Sequence, residues 1–260
     1  MNLRFSKVEK INYQEVYEKY KIKVEAYLVE EYLLDTTFNV RKILGKGLVF
    51  KNKDVRANDK TTYSKIALNN AGYNIYEFLK DRYEDYRFVV TTDVKDVIFQ
   101  KDPFVFMENN NIGRSPIKLL APSEAMYYKD EPWNRDNLRQ AYGDYFYENL
   151  GFKNMLISCC GVIAGTSEYV KDLVFNMFAN SINRPIPVVD QVVFNMLINT
   201  QPYKDVTSVQ PMSTGWTLQA GTMNDPNKVA EFKDKWLELP PYFYDGKFLT
   251  AGGNEFYIVH

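Results

Sequence analysis

Residues 155–182 read MLISCCGVIAGT and then SEYVKDLVFNMFANSI. The first stretch is an apolar run interrupted only by Gly161 and Gly165, the pattern of a buried strand. The second repeats its apolar residues at the period of an amphipathic helix. A buried strand that passes straight into a helix restricts the fold to α/β arrangements, and the same succession recurs along the chain. From Thr61, TTYSKIALNNAGYNIYEFLKDRYEDY reads as a helix, and RFVVTTDVKDVIF follows as strand, turn and second strand. Residues 105–116 read as a polar loop, IKLLAP (117–122) as a strand, and the following segment as a helix that ends near Gly151. VVDQVVFNMLINT starts a further helix after Pro185 and Pro187, and the last sixty residues alternate short strands with Pro/Gly turns. Residues 13–30 are helix-like and lead towards a strand, whereas the pattern over 31–60 is ambiguous. The expectation is a single α/β domain over residues 1–260 with a mixed, mainly parallel sheet flanked by helices. On such sheets ligands sit at the carboxyl ends of the strands.

Composition narrows the chemistry. The chain has 32 basic and 33 acidic residues among 260, a formal charge of −1. That balance gives no basic field for nucleic acid or an anionic membrane surface. The only cysteines, Cys159 and Cys160, are adjacent, so the reading is a reduced protein without disulfides. The amino-terminal stretch is charged throughout, and no apolar run approaches the roughly 18 residues of a membrane span. A cytoplasmic location without a signal peptide is therefore expected. The single histidine is the last residue, His260. Ser-His-Asp or Cys-His catalysis is excluded unless that end folds back into a site. Catalysis would otherwise rest on carboxylates, amides, lysines and hydroxyls. Twenty tyrosines and seventeen phenylalanines supply flat faces suited to sugars and bases, and serve equally as core.

Within RFVVTTDVKDVIFQKDPF, residues 87–104, three carboxylates follow a strand: Asp93, Asp96 and Asp102. Two readings stand side by side, a solvated acidic turn and a site for a hard divalent cation, which prefers oxygen ligands. A phosphatase of the haloacid-dehalogenase type would need a second acid where Lys95 stands, and would place this strand near the start of the chain. Asp102-Pro103 starts a turn.

TTDVKDVIFQKDPF, CCGVIAGT, VVDQVVFN and the terminal FYIVH, taken in that order, resemble nucleotide-sugar glycosyltransferases of the GT-A fold. The resemblance spans roughly residues 60–260, and residues 1–60 show no clear match to the usual first nucleotide-binding strand. It implies a D-x-D-like metal motif in DVKD, with Asp96, Asp93 and His260 holding Mn²⁺ or Mg²⁺. Counting back from Asp102-Pro103 puts the motif's first acid on Val94, so Asp93 is one residue out and is shared between metal and donor ribose. Ser64 and Lys65 resemble the helix start that faces the donor diphosphate. Gly161 resembles the glycine that lets the sugar approach the backbone, although Cys159-Cys160 replace the family's Asn-Ala. Asp190 and Gln191 resemble the pair that faces donor sugar and acceptor.

The implied activity is transfer of a hexose, galactose or glucose first, from a UDP-sugar donor to a glycan acceptor, with retention favoured. The implied partners are donor and acceptor, with further domains expected in a longer protein. A non-catalytic sugar-nucleotide or glycan-binding module of the same fold is the alternative. From the residues alone, Asp190 reads equally as a helix cap, Lys65 as a solvated lysine, and both cysteines as small buried residues. Trp133 and Trp216 lie on polar connections, where an indole could stack on a sugar or pack in the core.

Overall fold

The computed structural model describes residues 29–33, 38–43 and 47–52 as strands, and then residues 84, 86–93, 96–181, 189–221, 223 and 226–260. The helix read from Thr61, with Ser64 and Lys65, lies outside the described residues apart from Glu84 and Tyr86 at its end. So does the helix-like stretch over 13–30, except for its last two residues, which open a strand. That strand, β1 (Val29–Leu33), pairs antiparallel with β2 (Phe38–Ile43), and β2 pairs with β3 (Gly47–Asn52) in the same sense.

A second sheet carries the core. Its strands are β4 (Phe88–Thr92), β6 (Leu119–Tyr127), β7 (Leu156–Ser158), β8 (Val162–Thr166) and β9 (Thr207–Gln210). The order is β4-β8-β6-β7, with β9 on the other edge of β6. The run MLISCCGVIAGT lies as one antiparallel course along β6, first as β7 and then as β8. It breaks at Cys159–Gly161, while Gly165 lies inside β8.

Alternate side chains of β6 and β8 enter two different cores. Leu119, Ala121 and Ile163 pack with α4 (Ser167–Ser181) and α5 (Asp190–Ile198), through Leu173, Val174, Val192 and Val193. Leu120, Val162 and Ala164 face the opposite way, against Phe106, Trp216 and Ile258. Burial on both faces makes the strands apolar at every position. In sequence that is the signature of a parallel sheet. The described sheet departs from the mainly parallel expectation: β4·β8, β6·β8 and β6·β7 are antiparallel, and β6·β9 is parallel. The apolar runs reported two-sided cover, which here coats antiparallel strands.

The polar loop expected over 105–116 is in part a helix, α1 (Pro103–Asn109). The Asp102 carboxylate accepts the Phe104 N–H at 2.9 Å, and Pro103 opens the helix where a missing N–H costs nothing. Phe106 and Met107 are buried, so a short amphipathic turn was hidden by the polar residues that follow it. The helix expected to end near Gly151 is two, α2 (Pro132–Tyr142) and α3 (Asp144–Asn149), divided at Gly143.

A small sheet closes the carboxyl-terminal end. β13 (Ile258–Val259) lies between β10 (Thr217–Leu218), parallel to it, and β5 (Ile98–Phe99), antiparallel. Trp216 is fully buried against Phe106, ring centroids 4.9 Å apart, so this indole is core. Trp133 is half exposed at the start of α2. Beyond β10 come α6 (Pro226–Phe232) and the hairpin β11 (Tyr242–Tyr244) and β12 (Lys247–Leu249).

At Gly165, β8 runs close against the start of β6. A Cβ there would stand 2.4 Å from the Lys118 carbonyl oxygen and 3.2 Å from the Leu119 Cα, both backbone atoms. Gly165→Val is expected to destabilise the fold by about 3 kcal/mol, the upper range for overpacking. The measurement is a urea midpoint, and an unchanged midpoint would refute the close approach.

Candidate metal centre and its surroundings

Three strand pairings bring distant residues together. In β4·β8, Thr92 pairs with Val162, which sets Asp93 opposite Gly161, and the Asp93 N–H donates to the Gly161 carbonyl at 2.9 Å. In β5·β13, Val259 pairs with Ile98, which carries His260 back alongside Asp96. In β10·β13, Leu218 pairs with Val259, which sets Gln219 beside His260.

One ligand atom from each of Asp93, Asp96 and His260 lies within 4.8 Å of the others. His260 Nε2 is 3.3 Å from Asp93 Oδ2 and 4.0 Å from Asp96 Oδ1. The two carboxylates are mostly exposed and the imidazole is mostly buried, 14%. Two carboxylate oxygens and one imidazole nitrogen, open to solvent on one side, form a donor set that suits a hard or borderline cation such as Mg²⁺ or Mn²⁺. The geometry leaves no room for a side chain at Gly161. A Cβ there would lie 2.3 Å from His260 Cε1, 2.6 Å from Nε2 and 2.9 Å from Asp93 Oδ2. The glycine is thus required where carboxylate and imidazole converge.

Asp93 raises the imidazole pKa above its ordinary value, first by its hydrogen bond and then by its charge; Asp96 and Glu124 add to this and burial opposes it. Cation binding at Nε2 must therefore displace a proton when the ring is charged.

The loop at Cys159–Gly161 is anchored from behind by Asn195, which sequence reasoning passed over. This fully buried side chain accepts the Ser158 N–H at 2.8 Å and donates to the Ser158 carbonyl at 2.6 Å and to the Gln191 carbonyl at 2.8 Å. It imitates a strand partner for β7 and fixes the first turn of α5, which carries Asp190 and Gln191. Burial pushes both cysteine thiols well up, with Glu124 and Asp190 adding to it. Both shifts disfavour the thiolate that a nucleophilic cysteine needs.

Asp190 opens α5, and its carboxylate accepts the Gln191 N–H at 2.9 Å. Burial is the main cause that raises its pKa, Asp93 raises it further, and hydrogen bonds from the Gln191 N–H and the Cys160 thiol oppose this. Its field is thus shared with the Asp93 cluster.

Gln191 Nε2 donates to Glu124 Oε1 at 2.9 Å and to Asn134 Oδ1 at 2.8 Å. Asn134 is held in turn by the buried Glu131 at 2.9 Å. Glu124 lies at a bulge in β6, where the register with β7 shifts between Ser123 and Tyr127 and Ala125 has φ 55. A bulge re-aims the side chains it carries. No sequence pattern announced Glu124, Asn134 or Gln219.

No family model matches the chain, and no curated protein matches it. Among solved structures it is similar to mouse xyloside xylosyltransferase 1 in its apo form, at 15% identity and a TM-score of 0.41. The match covers 79% of this chain and 69% of that one. No helix among the described residues is long and apolar enough to cross a membrane.

Two measurements test the geometry. As the chain has one histidine, its imidazole proton resonance needs no assignment. Its titration midpoint in metal-free protein is expected above the ordinary value of about 6.5, and Asp93→Asn is expected to lower it. A midpoint at or below that value would remove the Asp93–His260 contact. Gly161→Ala is expected to fold with an unaltered circular dichroism spectrum and to bind Mn²⁺ about tenfold or more weakly by electron paramagnetic resonance. Equal Mn²⁺ binding would show that the cluster is not assembled as described.

Proposed function

We propose that this chain is a metal-dependent glycosyltransferase of the GT-A type. It would transfer a hexose, galactose or glucose, from a UDP-sugar to a hydroxyl of a glycan acceptor. The observation that carries this reading is the convergence of Asp93 and Asp96, on the turn between β4 and β5, with His260 at the end of β13. The sequence resemblance assigns a metal to these same three residues.

Mn²⁺ or Mg²⁺ held there would neutralise the charge that develops on the leaving diphosphate. Asp93, Asp96 and His260 would supply the ligands, and Lys65 and Ser64 would contribute to holding the diphosphate. In the transfer, the bond between the anomeric carbon and the diphosphate oxygen breaks and the acceptor oxygen bonds to that carbon. UDP departs, and the acceptor hydroxyl loses its proton. Asp190 suits the reacting side. Its raised pKa makes it a better proton acceptor than an exposed carboxylate, and its remaining charge favours an oxocarbenium-like centre. Gln191, one residue further on, would face the sugar, and retention is the favoured outcome.

The non-catalytic alternative has one feature in its favour. Cys159 and Cys160 stand where the resembling enzymes carry an Asn-Ala pair, so an amide contact to the sugar is either missing or supplied from elsewhere in the chain. Release of UDP from a panel of UDP- and GDP-sugars, with Mn²⁺ and with EDTA, separates the two. Transfer predicts slow metal-dependent release from one donor, abolished by EDTA and by Asp96→Ala. Asp190→Asn should lower it by about 100-fold or more. UDP binding without turnover of any donor would favour the binding module.

A further inference from the structure

Gln219 follows β10 in parallel register with His260. The Ala220 N–H donates to the His260 carbonyl at 2.7 Å, and the His260 N–H to the Leu218 carbonyl at 2.9 Å. The Gln219 side chain is 5% exposed, and its Oε1 lies 2.8 Å from His260 Nδ1. Its Nε2 is buried without a hydrogen-bond partner among the described residues. We infer that Gln219 is the positioning residue of the metal centre: its carbonyl oxygen holds the proton on His260 Nδ1 and thereby presents the Nε2 lone pair to the cation. This rests on the metal-binding reading above.

An amide oxygen only accepts, so the group facing it at 2.8 Å must donate. In a neutral imidazole the proton then sits on Nδ1 and the lone pair on Nε2. Nε2 is the atom that points between Asp93 and Asp96. Metal-bound histidines are commonly fixed in this way through their second nitrogen.

Cys159 is the competitor for Nδ1. Its Sγ stands 3.5 Å away, and a thiol donating to Nδ1 would give the opposite tautomer. That contact is long and sulfur is a weak partner. The same sulfur also takes the Gly161 N–H at 3.4 Å. At Nδ1 the shorter, stronger oxygen contact prevails; at Nε2 the Asp93 carboxylate competes for the proton at 3.3 Å until a cation takes that lone pair.

The orphaned Nε2 separates positioning from packing. An unpaired buried donor weakens a fold rather than supporting it. A leucine would fill the same space and remove the orphan. A purely structural glutamine therefore predicts that Gln219→Leu leaves Mn²⁺ binding unchanged, whereas the positioning role predicts a loss.

The test compares wild type, Gln219→Leu, Gln219→Glu and Cys159→Ala, each checked for folding by thermal melting. Mn²⁺ affinity is read from the paramagnetic resonance of the free ion. Gln219→Leu is expected to bind about tenfold or more weakly, Gln219→Glu, which keeps an acceptor, to stay near wild type, and Cys159→Ala to be unchanged. Long-range proton–nitrogen correlation of the single imidazole, in alkaline metal-free protein, is expected to show a larger Nδ1–H fraction in wild type than in Gln219→Leu, the remainder being held on Nε2 by the Asp93 carboxylate at 3.3 Å. Equal fractions in the two proteins would overturn the inference. Wild-type affinity in Gln219→Leu would overturn it while leaving the metal site standing. Failure of the wild-type chain to bind Mn²⁺ would overturn the site and this role together.

Discussion

A single backbone hydrogen bond, from the Asp93 N–H to the Gly161 carbonyl, sets the geometry on which the site depends. It extends the β4·β8 ladder by one residue into the break between β7 and β8. Beyond it the strands part, and β13 enters with His260. Three chain segments meeting at one sheet end leave space for one side chain fewer than the residues present. Gly161 resolves this by having none, because its missing Cβ would occupy the place of the imidazole. The cluster is thus a consequence of register. A slip of one residue in β4 would turn Asp93 to the other face.

Local chemistry was largely legible in the sequence. The acidic strand end, the apolar run, the helix after VVDQ and the odd terminal histidine each carry their signal within a few neighbours. Asp102 behaves as a cap, as the Asp-Pro pair implied. Strand direction was not legible. The apolar continuity of LLA and VIAG arises from burial on both faces, which antiparallel strands between two cores satisfy as well as parallel ones. The supporting polar residues were not legible either. Asn195, Gln219 and Glu124 act across separations of 37, 41 and 67 residues. An isolated amide or carboxylate on an element carries no mark of a partner so far along the chain. Gly161 was expected to admit a sugar to the backbone, and the close contacts it relieves in the structure are with His260 and Asp93.

The carboxylates around the centre fall into two electrostatic kinds. Asp93 and Asp96 are exposed, so water already screens their mutual repulsion and a cation would gain from both. Asp190 is largely withdrawn from water, and its charge is raised in cost by burial and by Asp93. A cation between Asp93 and Asp96 would offset the second of these causes and leave the first. A cation held there would therefore be coupled to the proton affinity of Asp190 through Asp93. Charge arriving at one carboxylate pair changes what the neighbouring carboxylate can do.

Gln191 shows how such a site limits the roles its residues can take. Both hydrogens of its amide are committed, one to Glu124 and one to Asn134, and Asn134 is itself fixed by the buried Glu131. An amide in that position cannot donate to a ligand without breaking one of these part-buried bonds, which costs more than breaking an exposed one. What it can present is its carbonyl oxygen, a group of negative partial charge with no proton to give. If a donor sugar binds there as proposed, an acceptor held still would stabilise the positive charge that grows on its anomeric carbon, and a donor would not. The network through Glu124 and Asn134 thus fixes the sign of the contact that Gln191 can make.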